Sequence, residues 1–355
     1  MSFFFSEDSE SIETQATAGR ASKRHLLRRL VTVLAVLVVV TAAASAIYAG
    51  SVSQSFTKNV QREELLLPPD AEPDRSGASV PPADPAKPSR PEKGRTDAIN
   101  FVLMGSDSRT TANAGAGRSD TLMVAHLSAD RKSAYLVSFP RDMYVPIPGR
   151  GKNKINAAFA FGGPQLTIRT LEGLLNTRMD HAVLIDFEGF VKLTDDLGGV
   201  TVVNKHRSQS RGYTFPTGEI TIRGDQALAY VRERYALPQG DLDRAERQRD
   251  VVKAILDKGL SAETVANPLK FNRFVTGIAQ HLTVDSELTD AKIRKTALSL
   301  RLTGKDVRQL QAPISGFATV RGMSIDVVNH RQLKELAKAL QEDEMDSYLR
   351  EHPAG

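Results

Sequence analysis

Arginine is concentrated in one short segment of this chain, YVRERYALPQGDLDRAERQR, which spans residues 230–249. Arg232 and Arg234 lie two residues apart after an apolar run, so an extended backbone would point both guanidinium groups to the same side. Guanidinium groups are always charged and present a fork of N–H donors that matches phosphate oxygens. The pair therefore indicates a site for an oxyanion.

The second half of the same segment has the pattern of a helix start. Arg244, Arg247 and Gln248 are spaced i, i+3, i+4, so a helix over residues 242–258 would place them on one face. Several such donors close together favour a doubly charged oxyanion such as a pyrophosphate. A pyrophosphate site also needs metal-binding carboxylates, and the sequence offers them upstream.

Two acidic motifs stand beside predicted strands. GSDSR contains Asp107 and directly follows a buried apolar run, and RSDT contains Asp120 and opens the next run. Each motif alone is also ordinary turn chemistry, because Gly, Ser and Asp favour turns. Together the two carboxylates would hold Mg²⁺, which typically takes one or two carboxylates and completes its shell with water and phosphate oxygens.

Two further motifs add charge near strand ends. In SFPRD, Arg141 would contact phosphate while Asp142 orients it, although an exposed ion pair in a loop is the plainer interpretation. In KINAAFAFGG, Lys154 begins an alternation of polar and aromatic residues that ends in Gly-Gly. That pattern predicts a loop that closes on a ligand, and core packing explains Phe159 and Phe161 equally well.

Short apolar runs alternate with helical periodicity from residue 97 onward, which predicts one sheet with helices packed around it. The predicted strands are 98–104, 121–127, 134–139, 181–187, 200–203 and 219–222. The predicted helices are 165–175, 188–197, 224–230, 242–258, 268–282, 289–300 and 330–341. We therefore expect an α/β fold, a three-layer α/β/α sandwich with a central mixed sheet, in which helices dominate the C-terminal third.

The N-terminal part has the composition of a membrane anchor and a stalk. Residues 30–49 are nearly continuously apolar, which is long enough to cross a bilayer. Basic residues concentrated at positions 20–29 precede them and place the N-terminus in the cytoplasm. A cleaved signal peptide is the alternative, because Ala44-Ser45-Ala46 resembles a cleavage site. The expected organisation is a disordered cytoplasmic tail (1–29), a transmembrane helix (30–49), a Pro-rich extracytoplasmic stalk (50–96) that begins as a polar helix over 50–66, a catalytic domain (97–345) and a tail (346–355).

Composition limits the function classes. The chain has 355 residues with a net charge of only +5, and its Lys and Arg residues are scattered rather than blocked. Nucleic-acid binding is therefore not expected. The absence of cysteine excludes thiol catalysis, cysteine-ligated zinc and disulfides.

The ordered set of motifs resembles the LytR-CpsA-Psr family. The resemblance is dense over residues 97–260 and looser beyond them, and the segment YALPQG at 235–240 departs from it because many relatives are more polar there. An anchor followed by a Pro-rich stalk is also similar to that family. The matching pieces are GSDSR (105–109), RSDT (118–121), SFPRD (138–142), KINAAFAFGG (154–163), DLGGV (196–200), LAYVRER (228–234) and DLDRAERQ (241–248).

The resemblance implies a phosphotransferase on the outer face of the cytoplasmic membrane. Similar proteins move a glycopolymer from a polyprenyl-pyrophosphate carrier onto a cell-wall hydroxyl, usually of peptidoglycan, as a phosphodiester. The residues that match the family's site are Asp107 and Asp120 for Mg²⁺, Arg141, Arg232, Arg234 and Arg244 for the pyrophosphate, the site glutamine Gln248, and Lys154 in a matching motif.

Three questions stay open at the level of sequence. The acceptor hydroxyl needs a base, for which Asp241 and Asp142 are the candidates, and either would instead orient an arginine. The apolar carrier needs a tunnel, and the helices 165–175, 188–197 and 242–258 have the apolar content to line one. Two other functions compete with transfer: a wall-binding or regulatory protein that holds polyprenyl-linked glycans without turnover, and a metal-dependent hydrolase of the carrier diphosphate.

Overall fold

The computed structural model describes residues 60–66, 90–106, 119–261, 263–264 and 267–353. The chain divides into two compact units, residues 1–51 and 52–355, and the first lies wholly outside the described ranges. The predicted cytoplasmic tail and the predicted transmembrane helix therefore lie outside the described residues. Within the described ranges, no helix combines the length and the apolar character that a bilayer crossing requires.

A seven-stranded mixed sheet forms the centre of the second unit. The strands are β1 (Gln61–Glu63), β2 (Ile99–Ser106), β3 (Ser119–Leu127), β4 (Ala134–Ser138), β5 (Tyr144–Ile147), β6 (Gly151–Lys154), β7 (His181–Asp186), β8 (Val200–Asn204), β9 (Ser208–Ser210), β10 (Tyr213–Phe215), β11 (Gly218–Ile222), β12 (Thr283–Asp285), β13 (Val307–Gln311), β14 (Ile314–Val320) and β15 (Met323–Val328). The central order is β1-β12-β7-β2-β3-β4-β13, and two-stranded sheets pair β5 with β6, β8 with β11, β9 with β10, and β14 with β15. All six strands predicted from the sequence occur.

Five of these strands are followed directly by a helix, and the mixed sheet with its helices confirms the α/β fold. They are α1 (Ala157–Leu175), α2 (Phe187–Asp196), α3 (Gly224–Arg232), α4 (Asp241–Gly259), α5 (Pro268–Ala279), α6 (Asp290–Ser299), α7 (His330–Glu342) and α8 (Met345–Glu351). All seven predicted helices are present, six of them with bounds that agree to within three residues, whereas α1 begins eight residues before the predicted start at 165. Their apolar periodicity was the signal that located them.

Two helical groups pack against opposite faces of the central sheet. Successive side chains of a strand point to opposite faces, and Val102 and Met104 of β2 join a core cluster that α1, α7 and α8 complete. On the other face, Arg249 of α4 donates a hydrogen bond to the Ser138 hydroxyl of β4. A second core cluster joins α2, α3 and α4. The three helices with the apolar content for a tunnel do not share one cluster, because α1 packs in the first cluster whereas α2 and α4 pack in the second.

The predicted stalk, residues 50–96, is wrong at both of its described ends. β1 pairs in parallel with β12 at the edge of the central sheet, where the sequence predicted a polar helix. Leu65 and Leu66 are buried in the first core cluster. At the other end, Arg90 forms a buried ion pair with Glu172 of α1, with Nη2 2.8 Å from Oε1. The sequence gives little sign of β1, because an edge strand is held mainly by backbone hydrogen bonds that almost any residue can form.

The C-terminal third contains more strand than predicted. β12 and β13 join the central sheet, and β14 and β15 form a separate hairpin. The hairpin was missed because most residues of β14 are exposed, which leaves no apolar alternation to detect. The predicted tail, residues 346–355, is also wrong, since α8 continues the domain and buries Tyr348 in the first core cluster.

The predicted closing loop at residues 154–163 is wrong as well. Lys154 ends β6, which pairs with β5, and α1 begins three residues later. Phe159 is buried in the first core cluster, as the packing alternative predicted, whereas Phe161 is exposed. The helix bends at Gly162–Gly163, where Gly163 has a φ of 63° that only glycine adopts without strain.

Candidate active site

Several strand ends meet at one edge of the central sheet. β2, β4 and β7 run in the same direction, because β2 and β4 are each antiparallel to β3 and β7 is parallel to β2. Their carboxyl ends therefore share an edge with the start of β3. Loops at the carboxyl ends of strands form the ligand crevice in many α/β proteins. The motifs with Asp120 and Arg141 lie beside this edge.

Three arginines converge on one carboxylate oxygen here, Asp241 Oδ1. Arg244 Nη2 lies 2.9 Å from it, Arg141 Nε lies 3.2 Å away and Arg234 Nη1 lies 3.8 Å away. Asp241 and Arg244 belong to the first turn of α4, Arg141 follows β4, and Arg234 follows α3. We call these four residues the arginine cluster. Tertiary folding thus joins three predicted arginines that come from three separate segments.

A second ion pair adjoins the arginine cluster. Lys154 Nζ lies 3.0 Å from Asp142 Oδ1, and Arg141 Nε lies 4.0 Å from the same oxygen. The three side chains are largely buried, with exposed fractions of 24%, 22% and 17%. This is not the exposed loop ion pair that was the plainer interpretation of the sequence. The predicted site lysine reaches the edge from strand β6 rather than from a closing loop.

Arg232 and Arg234 are held by different partners. The predicted extended backbone is wrong here, because Arg232 is the last residue of α3 and the extended conformation begins at Glu233, with a ψ of 134°. The guanidinium of Arg232 lies 4.4 Å from the ring centroid of Phe187, at the start of α2. Arg234 lies over the Tyr235 ring at 4.7 Å and donates to its hydroxyl at 2.8 Å. Cation–π contacts of this kind restrict each guanidinium.

Helix α4 places Arg244, Arg247 and Gln248 on one face, as the spacing predicted, but the three side chains have different partners. Gln248 is buried, and its Nε2 donates to the carbonyl oxygen of Val231 at 3.3 Å. It thereby fastens the end of α3, next to Arg232. Arg247 instead donates to Asn204 Oδ1 at 2.9 Å and lies 4.3 Å from the Tyr230 ring centroid. Arg247 therefore supports the packing of β8 and is separate from the arginine cluster.

Only one of the two predicted metal ligands lies within the described residues. Asp107 lies outside the described residues. Asp120 lies on β3 at a β-bulge, because Gly105 pairs with Thr121 and Ser106 with Ser119, so that the register skips Asp120. Bulges are frequent next to active sites, where they re-aim a side chain.

An acid that sequence reasoning missed lies beside these pairs. Asp326 of β15 donates its backbone N–H to the carbonyl oxygen of Asp142 at 2.9 Å, and only 6% of its surface is exposed. Burial, followed by the like charges of Asp142 and Asp241, raises the pKa of the Asp326 carboxyl to about 6, against the opposing effect of Lys154 and Arg141. The signal in the sequence was a single acid within the apolar run SIDVV.

The charges at this edge favour an anionic ligand. Arg141, Arg234, Arg244 and Lys154 supply four positive charges, which exceed the three negative charges that Asp142, Asp241 and Asp326 carry when all are ionised. The guanidinium groups are partly desolvated, so their interaction with an anion is stronger than it would be in water. A diphosphate carries two negative charges and has the oxygen spacing that such forks match.

Arginines and acids gathered at the carboxyl edge of a mixed α/β sheet are suited to binding and neutralising phosphate groups, which is the main demand of phosphoryl transfer. The comparison with protein families then makes this assignment specific. The model described as the LytR_cpsA_psr family matches residues 75–342. The chain therefore belongs to the LytR-CpsA-Psr family, and the resemblance seen in the motifs is confirmed.

Several relatives and solved structures are similar to this chain over about 70% of its length. The chain is 36% identical over 256 residues to the polyisoprenyl-teichoic acid–peptidoglycan teichoic acid transferase TagU of Enterococcus faecalis, which is 72% of this chain and 82% of that protein. Among solved structures, B. subtilis TagV matches with a TM-score of 0.61 and 27% identity, over 71% of this chain and 98% of that one. TagT bound to LIIa-WTA matches with a TM-score of 0.54 and 30% identity, over 70% and 91%.

Proposed function

We propose that this protein transfers a glycopolymer from a polyprenyl-pyrophosphate carrier to a hydroxyl group of peptidoglycan, forming a phosphodiester. The observation that carries the proposal is the arginine cluster, in which three guanidinium groups from separate segments meet at Asp241 Oδ1. Family membership supports it, as do relatives named as transferases between polyisoprenyl-linked teichoic acid and peptidoglycan.

The reaction makes modest demands on covalent chemistry. The acceptor hydroxyl oxygen attacks the phosphorus next to the glycan, the bond from that phosphorus to the polyprenyl phosphate breaks, and the hydroxyl proton passes to a base. Such transfers depend mainly on positioning and on neutralising charge. Arg141, Arg234 and Arg244 would contact the non-bridging oxygens, and losing one such donor typically costs about 3 kcal/mol of barrier or more. Arg232, held against Phe187, would contact the diphosphate beside them.

We assign Asp241 to holding the arginines rather than to removing the proton. Its Oδ1 is the shared counter-charge of three guanidinium groups, so protonating it would leave those close cations uncompensated. Asp142 has a single lysine contact at 3.0 Å, from Lys154, and is the better candidate base. Gln248 would act by fixing the end of α3 through Val231.

Mg²⁺ is the divalent cation we propose, held by Asp107 and Asp120. Carboxylate oxygens are the protein ligands that Mg²⁺ prefers, and the bulge at Asp120 fits a ligand position at this edge. Bound there, the ion would neutralise charge on phosphate oxygens. The described part of the chain, which lacks Asp107, contains no other group of three or more acidic or imidazole side chains suited to a metal.

We place the catalytic domain on the outer face of the cytoplasmic membrane, tethered by residues 30–49. The apolar length of that segment and the basic residues before it support this orientation. A lipid-linked donor is confined to the membrane, so tethering the enzyme to the same surface raises the effective concentration of its substrate.

The direct test is an assay for the transferred product. Full-length protein in detergent would be incubated with a short-chain polyprenyl-diphosphate oligosaccharide, Mg²⁺ and peptidoglycan fragments, and the fragments would be analysed by mass spectrometry. We expect a phosphodiester-linked adduct that is lost in Arg234→Ala. Arg308→Ala is the matched control, because Arg308 is an exposed arginine that pairs with Asp346 on another part of the domain.

The alternatives give different products. Release of free polyprenyl phosphate without an adduct would indicate a hydrolase. Binding of the donor without any turnover, in the presence of a suitable acceptor, would indicate a protein that holds the glycan. Adduct formation at wild-type rate in Arg234→Ala would remove the role assigned to the arginine cluster.

A further inference from the structure

The hairpin β14–β15 brings an acid to the edge where the arginine cluster lies. Asp326 of β15 forms a parallel bridge with Met143, and its backbone N–H donates to the carbonyl oxygen of Asp142 at 2.9 Å. It is therefore fixed to the segment that also carries Arg141. The hairpin lies far from this segment in sequence, and no motif of the site includes it.

The carboxyl group of Asp326 has unusual surroundings. The residue is 6% exposed, and Oδ2 is buried without a hydrogen-bond partner among the described residues. Directly across the hairpin stands Phe317, which offers no polar group. A buried carboxylate oxygen without a donor is costly when it is charged, so the protonated form is favoured.

Charged groups from several elements face this carboxyl. Asp142 from the segment after β4 and Asp241 from α4 are negative and disfavour its ionised form, whereas Lys154 from β6 and Arg141 favour it. Burial is the largest influence, and the resulting pKa of Asp326 is about 6. The carboxyl therefore changes its charge within the range of pH at which proteins function.

We propose that Asp326 is a positioning residue that takes up a proton when the diphosphate donor binds, and so sets the pH range in which the arginine cluster accepts the donor. This inference rests on the proposed function, because the ligand is the diphosphate of the transfer reaction. The donor adds two negative charges to an edge that already holds Asp142 and Asp241. Ionised Asp326 is repelled by that added charge and neutral Asp326 is not, so binding and protonation favour each other.

Calorimetric titration of the full-length protein in detergent tests this directly. The probe is a short-chain polyprenyl-diphosphate N-acetylglucosamine, a diphosphate diester that lacks the second ionisation near pH 6 of a phosphate monoester. Titrations in buffers with different heats of ionisation give the number of protons taken up per probe. If binding raises the pKa of Asp326 by about one unit, uptake at pH 6.5 should be about half a proton, and affinity should fall roughly tenfold between pH 5 and pH 8.

Two substitutions separate Asp326 from the rest of the protein. Asp326→Asn should bind the probe without proton uptake and with the same affinity at pH 5 and pH 8, because asparagine imitates the neutral acid. Asp343→Asn is the matched control: Asp343 contacts His126 at the opposite end of β3, and its left-handed φ of 61° suits asparagine. That variant should keep the wild-type uptake.

The outcomes divide cleanly. A probe that binds wild-type protein without proton uptake overturns the inference and leaves the proposed function intact, and so does uptake that persists in Asp326→Asn. A probe that binds at no pH removes the proposed function together with the inference. Proton uptake by the wild-type protein is measured without any variant, so this part of the test does not depend on how well Asp326→Asn folds.

Discussion

Replacing Asp326 by asparagine should stabilise the protein above pH 6 and leave its stability at pH 4 unchanged. Asparagine has nearly the shape of aspartate, so the exchange removes a charge and keeps the packing. The residue is 6% exposed, and Oδ2 has no hydrogen-bond partner in the described part of the chain. A buried charge without such partners lowers stability, and removing it restores that loss.

The size of the effect follows from the pKa. Burial and the neighbouring acids raise the pKa of Asp326 from 3.8 to about 6, and one pKa unit corresponds to about 1.36 kcal/mol. The ionised carboxyl therefore lowers the free energy of unfolding by about 3 kcal/mol. Because the folded state has the higher pKa, it binds more protons than the unfolded state between about pH 4 and pH 6, so wild-type stability falls over that interval.

Thermal unfolding at pH 4 and pH 7.5 measures this difference. For a domain of this size, 1 kcal/mol corresponds to roughly 2–4 °C in Tm. The Tm of Asp326→Asn should therefore be about 6–12 °C above that of wild type at pH 7.5 and equal to it at pH 4. Asp130→Asn is the control, because hydrogen bonds from the Lys132 backbone N–H and the Ser128 hydroxyl lower the pKa of Asp130. Removing that charge should bring no gain. Equal Tm values for wild type and Asp326→Asn at pH 7.5 would refute this reasoning.

Other changes separate the roles assigned to the charged residues. Asp241→Asn should lower the free energy of unfolding by about 3–5 kcal/mol, because three guanidinium groups lose their shared counter-charge; a Tm equal to wild type would contradict this. Arg234→Ala should lower the rate of adduct formation by about 10²-fold or more while leaving the Tm unchanged. Arg247→Met should instead lower the Tm, because Arg247 is buried against β8. A lower Tm in Arg234→Ala together with a lower rate at unchanged Tm in Arg247→Met would contradict these assignments. Asp107→Asn should raise the Mg²⁺ concentration needed for half-maximal transfer, and an unchanged metal titration would count against Asp107 as a ligand. A truncated protein that begins at residue 97 should melt well below one that begins at residue 52, because it loses β1 and the buried partner of Glu172; equal melting would show that residues 52–96 add nothing to the fold.

Elements with a strong apolar period were predictable from the sequence, and strands of only three residues were not. β2, β3, β4 and β7 carry enough buried side chains for their sequence pattern to identify them. β1 and β12 have three residues each, and their place in the sheet depends on backbone hydrogen bonds. Such bonds carry almost no sequence signal, since every residue except proline offers the same donor and acceptor.

The residue types of the site were predictable from the sequence, but their arrangement was not. Arg141, Arg234 and Arg244 were identified from their motifs as phosphate-binding candidates, because the planar guanidinium fork matches phosphate oxygens. Their meeting at a single oxygen of Asp241 was not predictable. It depends on the ends of β4 and α3 and the start of α4 arriving together, which involves distances set by the packing of both faces of the sheet.

By itself, the amino-acid sequence determined the α/β class of this protein, its family, and the types of residue available for handling a diphosphate, because periodicity and ordered motifs are local properties of the chain. Only the tertiary structure decided that Arg247 supports packing while Arg244 joins the arginine cluster, although both lie on the same helix. It also decided that Asp326, from a hairpin without any motif, lies buried beside Asp142. Both decisions depend on which surfaces the fold brings together and excludes from water, and neither charge nor spacing along the chain contains that information.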